Sequence, residues 1–207
     1  MADHVSAVTD FYDDAQIRDI YEAEVAALVK EITGASRVVV FDNTRRSDAK
    51  TIRGKRNTRE PSSVVHNDYT DASAQKRLHN ILPDEADDRL QHRFAIVNVW
   101  RSIGGPALTT PLALCDASSV CETDLVPTER RAKDRIGELQ LVTFNPDHRW
   151  FWFSGLTRSE AALIKTFDSA LDGRARRSIH TAFKNPDAPA NAAPRESIET
   201  RTFAFFN

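Results

Sequence analysis

Six histidines occur in the 207 residues: His4, His66, His79, His92, His148 and His180. Two of them sit in stretches that read as strands, His66 in SVVHNDYT and His180 in SIHTAF. His66 opens a His-x-Asp pattern that ends on Asp68. On an extended backbone, residues two apart leave the same face. Two imidazoles and one carboxylate on a rigid β scaffold are the donor set of the facial triad in non-haem Fe(II) oxygenases, and the same donors suit zinc or manganese. Such a triad leaves open positions that a 2-oxoacid and O2 can share. Farther on, Arg195-Glu196-Ser197 places a guanidinium and a hydroxyl two residues apart. That pair suits the distal carboxylate of 2-oxoglutarate, because a planar guanidinium gives it two parallel hydrogen bonds. The rival reading of Arg195 is a surface ion pair, since Glu199 and Arg201 share its strand face. His79, His92 and His148 read as exposed or packing residues. Cys115, in the apolar LALC, reads as a small buried hydrophobe.

The elements that must position these groups are mostly strands. Apolar residues at helical spacing predict a helix over 10–33, with Gly34 as its C′ residue, inside an N-terminal helical segment of residues 1–35. Strands are expected at 38–41, 63–66, 94–100, 111–115, 138–144, 150–153, 178–183 and 197–206. The sequence Asn145-Pro146-Asp147-His148 suggests a turn that closes a hairpin. Helices are expected at 72–82 and at 159–171, and a Pro/Ala-rich loop at 186–194. Residues 45–60 hold seven Arg or Lys and one large apolar residue, Ile52, which predicts a solvated basic loop or a mobile lid. Within 150–153, one pair of aromatics should point inward, Trp150 with Trp152 or Phe151 with Phe153, most readily as core packing. Strands that do not alternate with helices argue against a doubly wound sheet. The expected fold is mainly β with flanking helices, a double-stranded β-helix of the jelly-roll or cupin-like kind, as one domain over residues 1–207.

Composition sets the outer bounds. Apolar residues make up 41% and charged residues 28%, which fits a globular protein and excludes a wholly disordered chain. No apolar run of membrane-spanning length occurs, and the acidic N-terminus lacks a signal-peptide core. With 28 Lys and Arg against 30 Asp and Glu, the formal charge of −2 gives no reason to expect nucleic acid or a membrane as partner. Two cysteines argue against a disulfide framework and point to a reducing, cytoplasmic compartment. The oligomeric state is not legible.

Four blocks, VHNDYT, NVWRSIGGPALTTPLALCDASS, HTAF and PRESIE, together with TGASRVVVFDNTRR near the start, carry a resemblance. They resemble the AsaB-type and CmcJ-type hydroxylase/desaturase family, which includes the gibberellin desaturase. The resemblance runs from about Val8 to the C-terminus, with the blocks in the family's order. It implies a Fe(II)/2-oxoglutarate-dependent oxygenase that uses O2 to hydroxylate, desaturate or cyclise a small molecule in secondary metabolism. It places the metal on His66, Asp68 and His180, and the cosubstrate clamp on Arg195 with Ser197. It adds Asn98 and Arg101, from the NVWR block, as second contacts to 2-oxoglutarate or substrate. Two departures stand out: Asn43 replaces the histidine of the family's FDHT, and members usually carry a longer N-terminal segment. The alternatives are a cupin-like isomerase or hydrolase that keeps the triad without 2-oxoglutarate, and a non-catalytic β-sandwich that binds no metal.

Overall fold

The computed structural model describes residues 1–56, 58–132 and 135–207. Eleven strands are formed there: β1 Ala2–Asp3, β2 Arg37–Ser47, β3 His66–Asn67, β4 Phe94–Ser102, β5 Leu112–Cys115, β6 Leu125–Ala132, β7 Arg135–Val142, β8 Trp150–Trp152, β9 Glu160–Asp168, β10 His180–Ala182 and β11 Glu196–Phe205. They make two sheets of order β1-β9-β4-β11-β2 and β6-β7-β3-β10-β5-β8, and every ladder between them is antiparallel. This is the expected double-stranded β-helix with helices outside it.

The first sheet is organised by the two faces of β4, which is buried along its whole length. Its outward residues Ala95, Val97 and Val99 join Ile17, Tyr21, Val25, Leu28 and Val29 in one apolar core. The N-terminal helical run supplies that face as α1 Asp14–Gln16, a wider π turn over Ile17–Tyr21, and α2 Glu22–Thr33. Gly34 ends it at φ 72°, the left-handed C′ position read from the sequence. The inward residues alternate with these. Phe94 and Ile96 pack with Phe167, Phe203 and Leu78 at one end. Trp100 packs with Leu112, Leu156 and Ile164 at the other. Between the two apolar clusters stands Asn98, fully buried. The middle of the cavity is therefore polar, and a site belongs there.

Several expectations change. Residues 159–171 are not a helix: Glu160–Asp168 is strand β9, held between β1 and β4. Strand β6 has no counterpart in the sequence reading; it forms a long ribbon with β7. The basic segment 45–60 is no single loop. Its first residues continue β2, Lys50–Lys55 form the short helix α3, and Asn57 lies outside the described residues. The turn at 145–148 forms, with the His148 amide donating to the Asn145 carbonyl, but β7 and β8 on either side of it are not neighbours, so it closes no hairpin. Strand β8 is a sheet edge, and Trp150, Phe151, Trp152 and Phe153 are all exposed, so neither aromatic pair fills a core. Helix α4 spans Asp71–Ile81 behind a capping box in which Thr70 and Ser73 bond each other's backbone amides. A last short helix, α5, is Ala86–Arg89.

Candidate metal centre and its surroundings

β3 and β10 are adjacent antiparallel strands, and His66 lies directly opposite His180 in their register. This brings the two imidazoles together, with ring centroids 4.4 Å apart. Asp68 follows β3 by one residue and sets Oδ1 3.5 Å from His66 Nε2. One donor atom from each of His66, Asp68 and His180 lies within 4.8 Å of the other two. His66 Nδ1 donates to the Val64 carbonyl at 2.7 Å, and His180 Nδ1 to the Ser178 carbonyl at 2.9 Å. A carbonyl only accepts, so both Nδ1 atoms carry a proton, and in the neutral ring each Nε2 is left with a lone pair. That tautomer is the one a metal ligand needs, held by the kind of outer hydrogen bond metal-binding histidines show. A small divalent cation fits this donor set, and two nitrogens with one carboxylate match non-haem iron.

The first sheet orients the carboxylate. Asp68 Oδ2 accepts from Asn98 Nδ2 at 2.7 Å and from Arg201 Nε at 3.1 Å, which leaves Oδ1 turned toward His66. Arg201 also pairs with Asp42 at 2.5 Å and Glu199 at 2.9 Å, and Glu199 accepts from Asn98 at 2.7 Å. The network follows from strand parity: Ser197, Glu199 and Arg201 share one face of β11, Arg195 precedes the strand at the same spacing of two, and Asp42, Thr44 and Arg46 lie beside them on β2. Burial works to raise the Asp68 carboxyl, but Arg201 and the two imidazoles hold it well below the usual carboxylate range. Burial also pushes His66 down, and its hydrogen bond and charge contact with Asp68 outweigh this to leave it raised. His180 is lowered by burial and by the charge of His66. The site thus favours an ionised Asp68 and a neutral His180 as donors.

Arg195 lies on this same inner face and is 3% exposed. Its Nε donates to Ser197 Oγ at 3.1 Å and its Nη1 to the Thr110 carbonyl at 2.7 Å, and its guanidinium lies 5.0 Å from the Trp100 ring centre. Burial, and then the charge of Arg46, lowers it to about 10. It is not a surface residue, and among the described residues it makes no ion pair: Glu199 is taken by Arg201. Arg101 is corrected. One residue beyond Trp100, it faces the helical side of β4, where it donates to Tyr21 Oη at 3.3 Å, to the His4 carbonyl at 2.7 Å and to the Arg158 carbonyl. It cannot reach 2-oxoglutarate or substrate from there. Asn98 faces the site, but its amide nitrogen serves Asp68 and Glu199.

Sequence reasoning missed Asp42, Thr44, Arg46 and Tyr69 here and saw Arg201 and Glu199 only as rivals to the clamp. The signal was available: polar residues at period 2 along two strands of a β core are not solvent-facing by default. Asn43 has the opposite parity from Asp42 and Thr44. It donates to Glu22 at 2.7 Å and accepts from Thr200 at 2.6 Å, away from His66, Asp68 and His180. A cleft of about 620 Å³ opens from Asp68 and Arg201, between α4 and the β6-β7 ribbon, past Tyr69, Arg77 and Glu138.

A family model described as oxidoreductase/YMDC permease-like domain matches residues 1–205. The Fe(II)/2-oxoglutarate-dependent dioxygenase nvfI of Aspergillus novofumigatus is 37% identical over 198 residues, covering 93% of this chain and 69% of the relative. The hydroxylase/desaturase CTB9 of Cercospora beticola is 38% identical over 225 residues, covering 98% of this chain and 68% of the relative. The chain belongs to this Fe(II)/2-oxoglutarate-dependent hydroxylase/desaturase family. Its fold agrees with a family member: the structure of the iron and alpha-ketoglutarate-dependent endoperoxidase NvfI aligns with a TM-score of 0.86 at 34% identity, over 95% of this chain and 72% of that one. Among the described residues no helix is long and apolar enough to cross a membrane.

Proposed function

We propose that the chain is a single-domain, Fe(II)/2-oxoglutarate-dependent oxygenase that hydroxylates, desaturates or oxidatively cyclises a small molecule of secondary metabolism. The observation that carries this is the pairing of two convergent imidazoles and the Asp68 carboxylate with a buried arginine, Arg195, that has no carboxylate partner among the described residues. His66, Asp68 and His180 would hold Fe(II), and Arg195 with Ser197 would take the distal carboxylate of 2-oxoglutarate. When bound, the iron and cosubstrate supply the activation of O2 and the removal of hydrogen from an unactivated carbon.

The chain's own residues do the rest. Val64 and Ser178 fix the imidazole rings by accepting their Nδ1 protons. Asn98 and Arg201 fix the carboxylate. Arg195 spends two of its five N–H groups on Ser197 and Thr110 and keeps the others for an anion. Trp100 and Leu112 form an apolar wall beside it that excludes water and strengthens the charge contact. Substrate would enter through the cleft beside Tyr69 and Arg77. A cupin-like isomerase or hydrolase would have no use for Arg195, and the named relatives favour the oxygenase. Two free cysteines, Cys115 buried and Cys121 exposed, support the cytoplasmic reading.

Anaerobic titration with Fe(II) and then 2-oxoglutarate tests the proposal. A weak visible charge-transfer band should grow with the cosubstrate. Iron binding without such a band would leave the cupin-like alternative; no iron binding would leave neither.

A further inference from the structure

A second arginine lies on the inner face, and the metal centre does not use it. Arg46 is opposite Ser197 in the β2-β11 register and has the same parity as Asp42 and Thr44, whose side chains bond Arg201. Its neighbour Arg45 faces the other way, bonding the Phe11 carbonyl and Asp14. Arg46 is 9% exposed, and the hydrogen bond recorded for its side chain is Nη1 to the Glu60 carbonyl at 2.8 Å. The three carboxylates of this face, Asp42, Asp68 and Glu199, all close on Arg201, and none lies within ion-pair distance of Arg46 among the described residues. A buried charge without a partner is costly, and a fold retains one where a ligand completes it.

Arg46 has a specific neighbour. Burial and the charge of Arg201 depress it against the pull of Glu199, and Arg46 is in turn the strongest charge acting to depress Arg195. Two guanidinium groups therefore share the Ser197 end of the cavity, neither in an ion pair among the described residues and each making the other less comfortable. An anion between them relieves both. The cleft is lined by Asp42, Asp68, Arg59 and Arg201 and by neither Arg46 nor Arg195, which leaves the pair for the cosubstrate.

Resting on the oxygenase reading above, we propose that Arg46 and Arg195 form a two-arginine cradle, in which Arg46 is the second cation on the distal carboxylate of 2-oxoglutarate. This assigns Arg46, one of the basic residues of 45–60, to cosubstrate binding. A dicarboxylic 2-oxoacid is selected over a monocarboxylic one by both arginines together.

The test is anaerobic titration of the Fe(II)-loaded protein, by charge-transfer band and by calorimetry, with 2-oxoglutarate and with 2-oxobutyrate, which lacks the distal carboxylate. Arg46→Gln should weaken 2-oxoglutarate by about tenfold or more and leave 2-oxobutyrate and Fe(II) affinities unchanged. Arg46→Lys, which keeps the charge and loses the fork, should fall between, and it serves if the glutamine variant does not fold. Unchanged 2-oxoglutarate affinity in a folded variant overturns the cradle. An equal loss for both acids overturns it too, because Arg46 would then act at the metal end or through the fold. A parent protein that binds Fe(II) and gives no band with 2-oxoglutarate overturns the oxygenase reading instead, and is told apart by failing before any substitution is made.

Discussion

At the scale of single residues, each inner side chain has a separable duty. His66→Ala and His180→Ala should each abolish turnover and lower Fe(II) affinity by a hundredfold or so, because each removes one of three donors. Metal analysis after gel filtration and an assay of 2-oxoglutarate decarboxylation would check this, and near-parental decarboxylation in either variant would refute the triad. Arg195→Ala should raise the apparent KM for 2-oxoglutarate by at least about tenfold, with a smaller change in kcat. Arg201→Ala should do the reverse. It strips Asp68, Asp42 and Glu199 of their shared cation, so iron affinity should drop first. Titrating both variants with each ligand separates the two roles. The meeting of His66, Asp68 and His180 and the inward Arg195 were legible because such groups are rare in strands and because His66 with Asp68, and Arg195 with Ser197, stand two residues apart. Arg46, Asp42 and Tyr69 were not, because each needs the pairing of β2 with β11, or the path of the cleft, to be seen at all.

At the scale of elements, legibility followed how much of each face is buried. The N-terminal helix was readable because one face packs on a sheet and the other meets water. Strand β9 was misread as a helix for the opposite reason. EAALIKTFD is rich in helix formers, and its buried positions fall on both sides of the chain, so no period-2 alternation survives. Strand β6, LVPTERRA, was passed over because it carries Pro127 and charges and forms an exposed ribbon with little apolar pattern. Local stops are firmer ground. Gly34→Val should cost about 1–2 kcal/mol, since a β-branched residue is strained at φ 72° while no atom crowds the added Cβ. Thr70→Ala should cost about 1 kcal/mol by removing the cap of α4. Urea unfolding of each variant against the parent would measure both, and no loss in the glycine variant would contradict the left-handed assignment.

Across the whole molecule, acid is the condition that threatens the fold. Asp168 is buried at the end of β9. Burial works to raise its carboxyl, but Arg93, the Ala170 amide and Lys165 outweigh it and hold it below its ordinary value. A carboxyl lowered by folding binds fewer protons folded than unfolded, so its contribution is present above the unfolded value and lost as pH falls toward the folded one. Asp68 has the same sign. Stability should therefore fall below about pH 4. Asp168→Asn should lower the neutral-pH plateau and flatten that acid slope; an unchanged slope would remove Asp168 from the account.

One consequence concerns strand β3, which is two residues long and yet bridges β7 and β10 in the middle of the second sheet. So brief a seam has little hydrogen bonding of its own. An ion gripped by His66 on one side and His180 on the other would act as a rivet through it. Iron supply would then govern the lifetime of the protein as well as its activity. Chelator-treated material should melt lower, by about 2–3 kcal/mol of stability lost relative to protein at a hundredfold saturating metal, and proteases should find the 58–68 stretch first.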